Sequence, residues 1–196
     1  NEGTVHVRYG FPSLENNELL SRENPQFSNG NSAGFGESSA TGDFNGDGYD
    51  DLVIGIPYED INGETDAGAI QIFYGSENGF PNITTLHQDA PKIGGVAHAG
   101  DLFGASIAAG DINADGYDDI VVGAPQDYYW PNESYCSKYS CGQVGSVNVI
   151  FGSSSGLTGI DDRYFRQNSH RVGGRSWAGD LFGAAVAIGD IDGDGY

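Results

Sequence analysis

Three short stretches of the chain alternate apolar and polar side chains before an aromatic residue and a glycine. They are "GTVHVRYG" from Gly3, "GAIQIFYG" from Gly68 and "GSVNVIFG" from Gly145. A period of two puts every second side chain on one face, so each predicts a half-buried β-strand ending in a turn. A second pattern is a short unbroken apolar run, such as Ile120-Val121-Val122, which predicts a strand buried on both faces. A third is a segment of small residues, 103–109, and a weaker fourth lies near 84–87 and 164–167. Helical periodicity longer than a turn or two is absent.

These patterns recur in a fixed order. "FGESSATGDFNGDGYDDLVIGIP" begins at Phe35, "FGASIAAGDINADGYDDIVVGAP" begins 68 residues later at Phe103, and "FGAAVAIGDIDGDGY" begins 79 residues after that at Phe182. Four short strands per unit, rich in glycine and without helix, predict an all-β fold of β-propeller blades built as antiparallel meanders. The Gly-Ala-Ser-rich first strand suits the crowded innermost position of a blade. A β-sandwich with accidental similarity is the alternative, disfavoured because the matches run over more than 20 positions. The expected organisation is one propeller segment over 1–196. Residues 1–34 supply the last strands of a preceding blade, 35–102 and 103–181 are full blades, and 182–196 open a further one. Two full blades do not close a ring, which at this period needs about 280 residues. The expectation is therefore an incomplete ring, part of a larger one, whose open edges take further blades or another chain.

Each unit places an acidic loop between its first and second strands. The first reads Asp43-Phe44-Asn45-Gly46-Asp47-Gly48-Tyr49-Asp50-Asp51, and the second runs from Asp111 to Asp119. Carboxylates this close repel one another unless a cation sits among them. Oxygen-bearing side chains stand at positions 1, 3, 5 and 9, with glycine at position 6. Calcium takes six to eight oxygens, and a glycine turn brings alternate side chains inward. The predicted ligands are Asp43, Asn45, Asp47, the Tyr49 carbonyl and Asp51, and likewise Asp111, Asn113, Asp115, the Tyr117 carbonyl and Asp119. Asp50 and Asp118, at position 8, are expected to point outward. The loop is not an EF-hand, because its position 12 is Ile54 or Val122 inside a strand. A third loop offers Asp190, Asp192 and Asp194 but lacks a position 9, so weak binding or a disordered loop is expected there.

The formal charge of −20 disfavours nucleic acid and anionic lipid as partners, and no apolar run is long enough to span a bilayer. The opening "NEGTVHVRYG" does not read as a signal peptide, so none existed or it has been removed. The two cysteines, Cys136 and Cys141, read most simply as a small loop disulfide, with two free thiols as the alternative. Sequons at Asn82 and Asn132 would carry glycans in a host that glycosylates. Together these features favour an extracellular or cell-surface setting.

At the Phe-Gly, acidic-loop and Gly-Ala-Pro positions the chain resembles FG-GAP repeats, as in the seven-bladed propeller of integrin α subunits. Bacterial integrin-like proteins and the C-terminal region of GPI-specific phospholipase D are relatives. The first unit departs slightly, with Gly55-Ile56-Pro57 for Gly-Ala-Pro. The resemblance implies calcium at the ligands named above. It also implies ligand contacts from the loops after the second and fourth strands, on the face opposite calcium. There the second unit is longer, with 20 positions from Pro125 to Gly145 against 11 from Pro57 to Gly68. The insertion holds Tyr128, Tyr129, Trp130, Tyr135 and Tyr139, either a recognition surface for protein or glycan or aromatics that merely pack over the blade edge. Arg171, Arg175 and Trp177 lie in the following connection, where the arginines form a basic spot or pair with nearby carboxylates.

The histidines (His6, His87, His98, His170) are dispersed and no serine sits in a nucleophile elbow, so no enzyme is expected in the chain itself. The reading is a calcium-binding extracellular module for adhesion or protein contact. The alternative is a non-catalytic accessory or carbohydrate-binding domain of a larger secreted hydrolase.

Overall fold

The computed structural model describes residues 4–8, 17–21, 33–129, 142–191 and 193. Every regular element among them is a strand. β1 (Thr4–Arg8) and β2 (Asn17–Ser21) form an antiparallel hairpin. β3 (Ser39–Gly42), β4 (Asp51–Ile56), β5 (Ala69–Tyr74) and β6 (Asn82–Leu86) form a four-stranded antiparallel meander in chain order. β7 (Ser106–Gly110), β8 (Asp119–Ala124), β11 (Ser146–Ile150) and β12 (Arg163–Phe165) repeat it. Between β8 and β11, the two-residue strands β9 (Tyr128–Tyr129) and β10 (Gly142–Gln143) pair at the base of the long connection. The fold is all-β, with two full meanders flanked by a hairpin, consistent with blades of an incomplete propeller.

The side-chain period explains the stacking. All six residues of β4 are buried, because both of its faces are covered. Val53 faces a core shared with Phe103, Ile120, Val122 and Ile150 of the second sheet. Leu52, Ile54 and Ile56 face the opposite core, with Leu20 of the hairpin and Phe35, and Val5 and Val7 packed against it. Each fully buried Ile or Val of these cores is worth about 1.5–3 kcal/mol. The order is hairpin, first sheet, second sheet, as in blades stacked face to face. The outer strands β6 and β12 are only partly covered, which is why their alternation is weak in the sequence. The small-residue strands β3 and β7 lie against each other.

The recurring Phe-Gly and Gly-Ala-Pro motifs stitch consecutive units. The Phe103 N–H donates to Ala67 O at 2.9 Å, and the Phe182 N–H to Val144 O at 3.0 Å. The Ser38 hydroxyl donates to Gly104 O at 2.6 Å, and Ser106 repeats this on Gly183 O at 2.7 Å. A Cβ on Gly55 would stand 2.1 Å from Gly104 O, and one on Gly123 2.0 Å from Gly183 O. The glycine opening each Gly-Ile-Pro or Gly-Ala-Pro triplet therefore lets the next unit's Phe-Gly backbone approach.

Candidate metal centre

The two acidic loops, β3–β4 and β7–β8, are built alike. In the first, Asp43 Oδ1 accepts the N–H groups of Gly46 (2.8 Å) and Asp47 (3.1 Å), and Oδ2 accepts that of Gly48 (2.9 Å). The Asn45 side-chain oxygen accepts the Asp47 N–H at 2.9 Å, and Asp47 Oδ1 accepts the Tyr49 N–H at 2.9 Å. In the second, Asp111 Oδ1 accepts Asp115 N–H (3.2 Å) and Oδ2 accepts Gly116 N–H (3.0 Å). Asn113 and Asp115 repeat the other two bonds at 2.9 and 3.0 Å. Short side-chain oxygens curling onto their own backbone coil each loop around its acidic side chains. The coil needs left-handed backbone at Gly46 and Gly48, and at Ala114 and Gly116. At Ala114 that conformation carries a Cβ, a strain the first loop avoids.

Position 9 anchors each loop to its sheet. Asp51 Oδ2 accepts the Phe44 N–H at 3.0 Å and Oδ1 the Gly75 N–H at 2.7 Å, with the residue fully buried. Asp119 does the same with Ile112 (3.0 Å) and Gly152 (2.8 Å). Each carboxylate oxygen keeps a second lone pair for another partner. Burial, reinforced by the charges of Asp47 and Asp43, pushes Asp51 up to about 6. Burial likewise raises Asp119, with Asp115 and Asp111 adding to it. Among the described residues no Lys, Arg or His forms a salt bridge with the carboxylates of either loop. The donors are all oxygens, which suits a hard cation such as calcium.

In the third loop Asp190 is exposed and its Oδ1 accepts the Gly193 N–H at 2.7 Å, as Asp43 does with Gly46. Asp192 and Asp194 lie outside the described residues.

Position 8 departs from expectation in one unit. Asp50 is exposed, as anticipated. Asp118 instead turns to the neighbouring loop, where its Oδ2 accepts the Asp43 N–H at 2.9 Å and its own N–H donates to Asp43 O at 3.1 Å. Alternation within one loop cannot reveal a backbone donor left over in the preceding unit, and this residue was missed for that reason.

The opposite ends of the sheets carry the other candidates. The Gly100 N–H donates to Thr65 O at 2.8 Å and the Gly179 N–H to Gln143 O at 2.7 Å, joining the loops after second and fourth strands into one surface. Tyr58, Tyr128 and Trp177 are exposed there. Tyr129 is half-buried and stacks with Arg166, whose guanidinium lies 4.6 Å from its ring centroid and 4.7 Å from that of Tyr164. Arg166 also stands 3.8 Å from the buried Asp127 carboxylate, so this arginine pairs locally. Arg171 and Arg175 are exposed. Trp130, Asn132, Tyr135, Cys136, Tyr139 and Cys141 lie outside the described residues. The sequon residue Asn82 is exposed at the start of β6.

One group of three metal-capable side chains, absent from the sequence reading, converges among the described residues: His98, Asp101 and Asp127 have ligand atoms within 4.8 Å of one another. Its carboxylates are already engaged. Asp101 accepts the N–H groups of His98 (2.8 Å) and Tyr128 (3.2 Å). Asp127 Oδ2 accepts Gln88 Nε2 at 3.1 Å and the Tyr164 hydroxyl. The Asp101 turn recurs at Asp180, which accepts the Trp177 N–H at 2.6 Å with no histidine present. It is a turn cap shared by the units, and the repeated "AGDLFG" from Ala99 and from Ala178 is the signal that could have found it.

Comparison with known proteins matches the FG-GAP repeat profile at residues 35–73 and 103–140. The chain is 33% identical over 171 residues to integrin alpha pat-2 of Caenorhabditis elegans, covering 82% of this chain and 12% of that protein. It is 31% identical over 165 residues to integrin alpha-7 of Homo sapiens, covering 84% of this chain and 12% of that one. Against phosphatidylinositol-glycan-specific phospholipase D of Bos taurus it is 33% identical over 122 residues, 62% of this chain and 14% of the enzyme. The chain therefore spans only about an eighth of the length of these relatives. By its two matched repeats and its likeness to these relatives, the chain is an FG-GAP, integrin-like domain.

Proposed function

We propose that this chain is a calcium-stabilised section of an extracellular β-propeller used for adhesion or protein–protein contact, with no catalytic role of its own. The observation that carries the reading is the pair of similarly coiled oxygen loops, each with a buried aspartate that forms no salt bridge among the described residues. Similarity to two integrin α subunits across more than four-fifths of the chain supports the adhesion half.

Asp43, Asn45, Asp47, Asp51 and the Tyr49 carbonyl would hold one ion, and Asp111, Asn113, Asp115, Asp119 and the Tyr117 carbonyl a second. The third loop binds more weakly, through Asp190, Asp192 and Asp194. The ion supplies charge compensation and cross-linking of the loop, which stabilises the fold because the ligands come together only when it forms. The units run 35–102 and 103–181, with 1–34 belonging to a preceding blade and 182–196 opening another. The partner, protein or glycan, is met on the face opposite the loops, through Tyr58, Tyr128, Trp177 and the 130–141 segment. Cys136 and Cys141 pin that segment as a disulfide, and further blades or another chain cover the open edges. Isothermal calorimetry of the chain against its Asp43→Asn/Asp111→Asn double variant tests the assignment. Calcium uptake that the double variant loses supports it, and equal uptake by both, or none by either, refutes it.

The similarity to the phospholipase D over 62% of the chain favours a second reading, an accessory domain of a secreted hydrolase. Hydrolase activity in a longer protein containing this chain, retained when the chain is deleted, would select it.

A further inference from the structure

The two acidic loops are in direct contact, and the hydrogen bonds between them run through one residue that is not itself an expected ligand. Asp118 joins Asp43, the first position of the neighbouring loop, by two hydrogen bonds: its carboxylate accepts the Asp43 N–H and its N–H donates to the Asp43 carbonyl, at 2.9 and 3.1 Å. Space for this exists only because position 42 is glycine, since a Cβ there would stand 2.6 Å from Asp118 Oδ2. Tyr117 adds a second contact, its ring lying over Gly46 so that a Cβ at 46 would be 2.6 Å from Tyr117 Cε1. From the other side, Phe44 O accepts the Ser153 N–H at 3.2 Å, tying the first loop to the turn after β11. No corresponding tie reaches the Asp111 N–H among the described residues.

Asp118 sits between Tyr117 and Asp119, both expected ligands of the second loop. An ion held there fixes the backbone on either side of Asp118 and so fixes its carboxylate. That carboxylate in turn holds the Asp43 N–H, while the Asp118 N–H holds the Asp43 carbonyl, and the Asp43 side chain opens the first loop. We propose that Asp118 is a positioning residue that couples the two loops, so that calcium in the second raises the affinity of the first. Linkage makes the effect reciprocal, because a coupling free energy is shared by both sites. The inference rests on the calcium reading above and deepens it. Each site is part of its neighbour, and an isolated repeat would bind more weakly than the pair.

The control is built into the chain. Asp50 holds the same position in the first loop with the same charge, is exposed, and makes no bond to the second loop. Calorimetric calcium titrations of the whole chain, with melts in chelator as a fold check, compare wild type with Asp118→Ala, Asp118→Asn and Asp50→Ala. Asp118→Ala is expected to weaken the first site about fivefold or more, the low end of ordinary coupling, and clearly more than Asp50→Ala does. Asp118→Asn, which keeps an acceptor oxygen for the Asp43 N–H, recovers most of the loss. Disabling the second loop with Asp115→Asn should lower the first site's affinity in wild type but not in the Asp118→Ala background. This second comparison decides the matter if Asp118→Ala folds poorly, because its wild-type arm needs no change at position 118. Two sites filling independently, with Asp118→Ala no different from Asp50→Ala, would overturn the coupling and leave calcium binding intact. No uptake by the wild type would overturn both.

Discussion

Gly55 and Gly123 show how much one missing methyl group decides. The carbonyl of the next unit's glycine stands where a Cβ would be, at 2.1 and 2.0 Å, and it belongs to backbone that cannot turn aside. Gly55→Ala or Gly123→Ala should cost about 3 kcal/mol, read by chemical denaturation. Gly173→Ala, where a Cβ meets nothing within 4 Å, should stay within about 0.5 kcal/mol of wild type. A Gly55→Ala protein as stable as wild type would contradict the close-approach argument. The recurrence of these glycines is visible in the chain, but the groups they approach belong to the next unit, beyond the reach of local spacing. Asp118 follows the same rule. Its residue type and register were read correctly, whereas its direction depended on an unpaired N–H in another unit.

Strands and turns were readable to the extent that burial shaped them. β4, β8 and β11 follow from period-two or unbroken apolar runs because packed layers demand them, whereas β5, expected half-buried from its alternation, is buried on both faces with Gln71 included. β9 and β10 carry no such demand and were not anticipated. Between sheets, the Tyr74 hydroxyl of β5 accepts the Leu157 N–H of the second unit at 3.0 Å. Tyr74→Phe leaves that N–H unpaired and should cost about 1–3 kcal/mol, measured as a shift in denaturation midpoint. An unchanged midpoint would mean that water replaces the hydroxyl. At the turn before β7, burial and the neighbouring Asp127 charge push Asp101 from 3.8 up to about 7. The folded state therefore holds this proton more tightly than the unfolded chain does. Its contribution to stability is fully present below about pH 4 and is lost as pH rises through about 7. Compared with Asp101→Asn in chelator, wild type should lose relative stability across that window. A gap that does not change with pH would rule this out.

Across the whole molecule, hairpin and sheets stack face to face and share two cores, which brings the first and second acidic loops side by side, joined through Asp118 and Asp43. The far face of the second sheet presents Val121, Val147 and Val149, only partly covered by the residues that follow. A further blade or a partner chain there would complete the layer, in keeping with the incomplete ring expected from the repeat count. Fold class and the acidic loops were readable because repetition exposes register. The ties between units were not, since each joins residues far apart in the chain. With a charge of −20, cation binding at these loops, as proposed, would serve fold stability as much as function. The most direct test is the thermal melt of this chain with calcium and with a chelator, alongside a count of bound ions. About two calcium ions per chain and a melting temperature that falls sharply on chelation are expected. No bound calcium and the same melt in both buffers would leave the loops as acidic turns and the family likeness as one of fold alone.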